Sequence, residues 1–353
     1  MSVFLDGALV VLPQSAGGPQ ITSLRLFRGR VIALGVSPHR GEKILDLQGF
    51  TLYPGLINAH DHLELNHFPR TKFQERYDNA HQWGEAFLPK LNEEPFCSLR
   101  ALPLRERCRV GLLKNIRSGV TTVAQHNPLH RPLRQRYTAP QVIGRYGWAH
   151  SLHFTPPETV QAHFRQTPPN APFMIHLAEG TDEVAAGELS RLQALGCLGS
   201  NTILIHGVGL SRDDQVQTLK TGAGLVWCPS SNHFLLGQTA HVEAFSAAGT
   251  LALGSDSRLT ADGDLLDELR AAHATAQISP AALFKTVTTD AARMLRVPDR
   301  GALLPGYRAD FWLIAGQPTD PYRNLIDLCP EDIQSVWIGG QKVYQNRAYS
   351  PVH

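Results

Sequence analysis

The chain has 353 residues, with 33 lysines and arginines against 31 aspartates and glutamates, so its formal net charge is only +2 and gives no electrostatic footprint for nucleic acid. No apolar stretch approaches the length of a membrane span, and the opening Met1-Ser2-Val3-Phe4-Leu5-Asp6-Gly7 lacks a basic region followed by a long apolar run, so a soluble, cytoplasmic protein is expected. Five cysteines, at 97, 108, 197, 228 and 329, show no paired spacing, which predicts reduced thiols rather than a disulfide framework.

Residues 1 to about 50 carry short strand-like runs, Ala8 to Leu12 and Gly29 to Leu34, separated by turn signals such as Gly17-Gly18. An apolar run, Leu52 to Ala59, then ends in His60-Asp61-His62. On a strand, residues i and i+2 point to the same side, and two neutral imidazoles so placed suit zinc or a similar divalent ion. A polar and aromatic insertion follows, from Glu64 through Tyr77, His81 and Trp83, and reads either as a substrate wall or as a solvent-facing loop. A helix is expected near Leu104 to Ser118, and a second strand ending at Gln125-His126-Asn127.

Between Asn127 and Ala171 there is room for little more than one strand and helix, with Gln141 to Gly144 and Tyr146 to His153 as strand candidates, so one of the two must be short. Apolar runs then recur, each closed by a polar residue able to bind metal or move a proton. They are Phe173 to His176, Thr202 to His206, and Leu251 to Asp256, with Gly224 to Pro229 opening onto Ser230, Ser231 and Asn232. Helical segments lie between them, at Asp182 to Leu195, Ser211 to Lys220 and His241 to Ala248. Strand-like runs return at Asp310 to Ile314 and Ser335 to Tyr344.

Apolar strands alternating with helices predict a parallel sheet covered by helices. A ring of polar residues from many strand ends favours a closed α/β barrel of the TIM type over an open sheet with one crevice. The expected organisation is therefore a (β/α) barrel over 51–299, irregular around its third and fourth strands. A small β-sandwich unit is expected from 1–50 and 300–353.

Each polar residue has a plainer reading when taken singly. Asp256 could cap the next segment, Glu179 could face a helix dipole, and His206 could be a core histidine bonded to backbone. With 16 histidines in the chain, chance pairs occur. Their joint occurrence in this order is what chance explains badly.

The runs Pro54-Gly55-Leu56-Ile57-Asn58-Ala59-His60-Asp61-His62, His176-Leu177-Ala178-Glu179 and Leu253-Gly254-Ser255-Asp256-Ser257 resemble the amidohydrolase superfamily of metal-dependent hydrolases. His-x-x-Glu at His176 and Pro229-Ser-Ser-Asn232 are similar to its cytosine deaminase and triazine hydrolase branch. The resemblance implies that His60, His62, His176 and Asp256 hold one divalent metal, zinc first and iron or manganese as alternatives. It also implies that Glu179 and His206, with Asp256, handle protons. Such a metal can bring the pKa of a water toward neutrality, His206 can orient it, and Glu179 can carry a proton to a ring nitrogen and the leaving amine. Relatives with two metals bridge them by a carboxylated lysine. Here no lysine occurs between Lys114 and Lys220, so one metal is expected.

Trp83, His126 and Asn232 are the substrate-binding candidates, suited to a planar, nitrogen-rich ring. The expected function is an aminohydrolase releasing ammonia from a heterocycle. Hydrolysis of a cyclic amide or a halogenated ring would use the same site, and a non-catalytic metal-binding scaffold is the reading from another class. The expected partner is a small-molecule substrate, and relatives of this kind allow a homodimer.

Overall fold

The protein is described by a computed structural model covering residues 2–134 and 140–346. The last part of the expected β unit, residues 347–353, lies outside the described residues. Among the described residues sixteen strands form three sheets. In chain order they are β1 (Val3–Val10), β2 (Gln20–Phe27), β3 (Arg30–Leu34), β4 (Lys43–Asp46), β5 (Phe50–Pro54), β6 (Leu56–Asp61), β7 (Val120–Gln125) and β8 (Gln141–Val142). They continue as β9 (Gly147–Ser151), β10 (Phe173–Leu177), β11 (Thr202–His206), β12 (Gly224–Trp227), β13 (Leu251–Leu253), β14 (Phe311–Ala315), β15 (Ser335–Ile338) and β16 (Gln341–Gln345).

The two chain ends are hydrogen-bonded into one sheet of eight strands, ordered β16-β15-β14-β5-β1-β2-β3, with β4 on β1. The middle of the chain forms two parallel arcs, β6-β7-β8 and β13-β12-β11-β10-β9. Strands β6, β10, β11, β12 and β13 are buried along their whole length, which is why their sequences are apolar without alternation. The arcs meet where Asp256 N donates to His60 O at 3.0 Å.

The run Leu52 to Ala59 is not the single strand expected of it. It divides at Gly55 into β5, which belongs to the end sheet, and β6, which opens the first arc. A Cβ on Gly55 would stand 2.1 Å from Thr121 Oγ1, so only glycine lets the chain pass from one sheet to the other beside β7. The expected shortage between the second and fifth runs appears as β8, only two residues long.

The helix expected over Asp182 to Leu195 is interrupted at Gly187 into Glu183–Ala186 and Glu188–Ala194, and Asp182 accepts from Ala185 N to cap the first. Ser211 and Asp214 form a capping box at the start of Arg212–Thr221, close to the expected boundary. The insertion after β6 folds into a helix, Ala80–Lys90, and a shorter one, Phe96–Ala101. Phe68, Phe87, Phe96 and Leu259 pack beneath them as a separate apolar cluster. No helix among the described residues is long and apolar enough to cross a membrane, and the five cysteines are unpaired.

Candidate metal centre and cavity

His60 sits one residue before the end of β6, His62 lies just past that end, and His176 sits one residue before the end of the neighbouring arc's β10. All three are buried. The Nε2 atom of His176 lies 3.4 Å from Nε2 of His62 and 3.4 Å from Nε2 of His60. Asp256 Oδ1 completes the convergence, 3.5 Å from Nε2 of His60 and 3.7 Å from Nε2 of His62. These separations lie at the long end of hydrogen-bond distances or beyond it, and they suit atoms arranged about a shared cation.

The donor chemistry fits a divalent metal. Nδ1 of His176 donates to His150 O at 2.8 Å, which leaves its Nε2 lone pair free to ligate. Burial drives the imidazoles of His60 and His176 toward the neutral form, His60 to a pKa of about 3. Burial alone would raise the pKa of Asp256. The hydrogen bond and field of His60, with His62 and His206 beyond, carry it well below the usual carboxylate value. Ser231 Oγ and Thr260 Oγ1 donate to its Oδ2 at 2.9 and 3.0 Å, so the carboxylate is held by side chains on either hand.

His126 joins this group rather than the cavity wall. Its Nε2 donates to Ala149 O at 2.9 Å and its ring stacks 4.2 Å from that of His176. His60, His62, His126 and His176 present ring nitrogens within 4.8 Å of one another, a set able to hold a metal ion, and His60, His206 and Cys228 form a second, overlapping set. Cys228 is buried at the end of β12, and burial pushes its thiol pKa well up, so it stays protonated unless a metal displaces the proton.

His206 ends β11, with Nδ1 2.8 Å from Asn232 Oδ1. Asn232 Nδ2 donates in turn to Thr239 Oγ1 at 3.1 Å, so its carbonyl faces the imidazole and Nδ1 carries the proton. Nε2 of His206 is thereby left as an acceptor, 3.4 Å from Glu179 Oε2. Burial raises the pKa of Glu179 well above the ordinary carboxyl value, and the charges of Asp256 and Glu188 add to the effect. A protonated carboxyl beside an unprotonated imidazole can pass a proton in either direction.

Three non-glycine residues at these strand ends adopt left-handed backbone: Ala178 (φ 53°), His206 (φ 76°) and Asp256 (φ 52°). Such conformations cost about 1–3 kcal/mol each and persist only where the surroundings impose them. Here they turn the chain sharply at the strand end, where polar side chains must converge. Gly254 assists, since a Cβ there would stand 2.6 Å from that of His60.

Above the metal-binding group lies a cavity of about 380 Å³. His62, His176, Glu179, His206 and Asp256 face it at one end, and Leu65, Phe68, Trp83, Phe87, Phe154 and Leu259 supply much of the remaining wall. Trp83 therefore lies where a ring could stack, with its Nε1 committed to Thr71 O at 3.0 Å. Asn232 does not line the cavity and acts on it through His206. The insertion forms a wall rather than a solvent loop: Ala80 N donates to Glu179 O at 2.9 Å, tying the wall helix to the strand end.

Sequence reasoning passed over Glu188, Ser231, Thr260 and Lys114. The Lys114 side chain is 6% exposed, lies 3.0 Å from Asp61 Oδ2, and donates to Ser255 Oγ and to Asp256 O at 3.0 and 2.8 Å. Ser231 stood inside a noted run. Nothing in the local sequence distinguishes Lys114 or Glu188 from ordinary helix residues.

A sequence model of the Amidohydrolase family matches residues 158–343, more than half of the chain. The 5-methylthioadenosine/S-adenosylhomocysteine deaminase of Carboxydothermus hydrogenoformans is 30% identical over 203 residues, covering 50% of this chain and 47% of that protein. The 8-oxoguanine deaminase of Pseudomonas aeruginosa is 28% identical over 187 residues, covering 47% and 42%. The chain spans about half the length of the curated relatives it matches. Among solved structures, atrazine chlorohydrolase from Arthrobacter aurescens TC1 complexed with zinc superposes with a TM-score of 0.82 at 18% identity, covering 98% of this chain and 95% of that one. An adenosine deaminase from Xanthomonas campestris with bound zinc gives 0.78 at 19% identity, covering 99% and 94%. The likeness of fold extends over nearly the whole chain, and the sequence match places it within one group: the chain belongs to the amidohydrolase family.

Proposed function

We propose that the chain is a mononuclear, zinc-dependent aminohydrolase acting on a nitrogen-containing heterocycle. The observation that carries this reading is the convergence of three imidazole Nε2 atoms and Asp256 Oδ1, at separations of 3.4 to 3.7 Å, beneath a cavity that Glu179 and His206 also face. His60, His62, His176 and Asp256 would hold the ion. When bound, a divalent ion in this donor set makes a water available as a nucleophile near neutral pH.

The chain's own residues supply the rest. Asp256 is ionised and can take a proton from water. His206 presents an unprotonated Nε2 toward the reacting position and orients what binds there. Glu179, held protonated, gives its proton to a ring nitrogen, and the proton later leaves with the amine. Trp83 and its apolar neighbours exclude water and offer a flat surface to the ring. Names of relatives support the substrate class, since they include deaminases of methylthioadenosine and of 8-oxoguanine. Zinc accompanies two of the similar solved structures.

We read β6 to β13 as one barrel, joined at His60 and Asp256 and irregular at β8, with the flanking sheet of β1 to β5 and β14 to β16 as a separate unit. The test combines elemental analysis with a product screen. Near one equivalent of zinc in the purified protein, lost in His60→Ala, together with ammonia release from a purine or related amine, is the expected result. Chloride release from atrazine without any ammonia release would replace the aminohydrolase reading with a halide-displacing one. Absence of metal after reconstitution would overturn both.

A further inference from the structure

Away from the histidine group, the cavity has a second polar region. Glu188 lies on its wall and is 1% exposed. One carboxylate oxygen, Oε2, accepts the amide of Ala178 at 2.6 Å. The other, Oε1, finds no hydrogen-bond donor among the described residues. Its nearest ionic neighbour is His81 Nε2 at 3.4 Å, and His81 also lines the cavity, from the second position of the wall helix Ala80–Lys90. The His81 ring is held flat on His153, with centroids 4.4 Å apart and planes at 11°, and His153 Nε2 is 2.9 Å from Glu85 Oε1.

A buried acceptor without a donor is costly, and a ligand that brings the donor recovers the loss while one lacking it does not. The volume of about 380 Å³ falls in the range of pockets that take a ring together with a substituent. We propose that Glu188 and His81 are a recognition pair for a hydroxyl or amino group on that substituent, so that the substrate class is a heterocyclic amine with a hydrogen-bonding side group and not a bare ring. This rests on the aminohydrolase reading and specifies its substrate. His81 remains neutral, its pKa pushed down to about 4 by burial and the neighbouring His153, so it adds a donor and an acceptor without adding charge.

The test uses the zinc-loaded full chain with adenosine, a purine amine bearing a polyhydroxyl group, and 9-ethyladenine, the same ring without hydroxyls. Ammonia release gives kcat/KM for each, and calorimetry gives binding. Glu188→Gln keeps a carbonyl oxygen for the Ala178 amide and puts an amide N–H₂ where the free acceptor stood. His81→Phe keeps the stack on His153 and removes both nitrogens. Wild type is expected to favour adenosine, and Glu188→Gln to reduce the adenosine to 9-ethyladenine ratio by roughly 5- to 150-fold, mainly through KM. His81→Phe should lower the same ratio. A ratio preserved within about threefold in both variants, with both substrates falling together, would show a structural role and overturn the proposal. Neither compound binding to wild type would overturn it as well, and ammonia release from another amine would then leave the aminohydrolase reading standing.

Discussion

The backbone of Asp256 is hydrogen-bonded to that of His60, N to O at 3.0 Å, across the join between the first and last strands of the two parallel arcs. Residues almost two hundred positions apart are thereby locked in register, and the carboxylate and imidazole they carry end 3.5 Å apart. The proposed metal site draws its ligands from both sides of this join.

Gly254 is the point at which the join is most sensitive. An added methyl would meet His60 Cβ at 2.6 Å and His60 N at 2.9 Å, both parts of a buried strand. Gly254→Ala should destabilise the protein by about 1–3 kcal/mol and weaken zinc retention. Chemical denaturation and a competitive chelator titration measure the two effects, and an unchanged zinc affinity would show that the join has slack.

Lys114 neutralises Asp61 and bonds the Asp256 carbonyl within a network completed by Asn58, Asn115 and Ser255. Lys114→Met would leave a buried carboxylate without its cation, at a cost of about 3–5 kcal/mol. Urea unfolding at neutral pH should show a loss of that size, shared with Asp61→Asn in a double-mutant cycle rather than added to it.

Asn232 fixes which nitrogen of His206 carries the proton. Asn232→Leu should lower kcat by about 10- to 100-fold while zinc content stays at the wild-type level. Loss of zinc alongside activity would mean that Asn232 supports the fold of the site and not only the imidazole tautomer.

Glu179→Gln removes the proposed proton carrier while preserving shape. A fall in kcat of roughly 10²- to 10⁴-fold, with metal retained, is the expected outcome. Turnover of a confirmed substrate at the wild-type rate would exclude Glu179 from proton transfer.

Glu188 also predicts a pH effect on stability. Burial raises its folded pKa from 4.5 to about 7, so the native state binds the proton more tightly than the unfolded chain. Its contribution is fully present below about pH 4.5 and is lost as pH rises through about 7. Glu188→Gln, which has no proton to lose, should gain on wild type by about 2–3 kcal/mol between pH 4.5 and pH 8. Paired unfolding curves at the two pH values measure the gain, and a constant difference would place the Glu188 titration outside this window.

The strands bearing His60, His176 and His206 were legible because a buried parallel strand must be apolar throughout and a polar residue at its end is then conspicuous. The helix expected over Ser211 to Lys220 falls close to Arg212–Thr221 because the capping box that starts it is local chemistry. The division at Gly55 was not, because an apolar run reads alike whether it serves one sheet or two, and only the approach of Thr121 requires the break. The short β8 was foreseen from spacing alone.

Sequence by itself determined the order of the elements and the identity of the converging polar residues, since both follow from local pattern and residue chemistry. Tertiary structure alone decided that His126 stacks on His176 instead of facing the cavity, that Asn232 acts through His206, that Lys114 reaches the Asp256 carbonyl, and that Glu188 stands on the cavity wall. Those outcomes depend on distances between strands and helices far apart in the chain, and on which face of each helix is covered. No periodicity within a single segment encodes them.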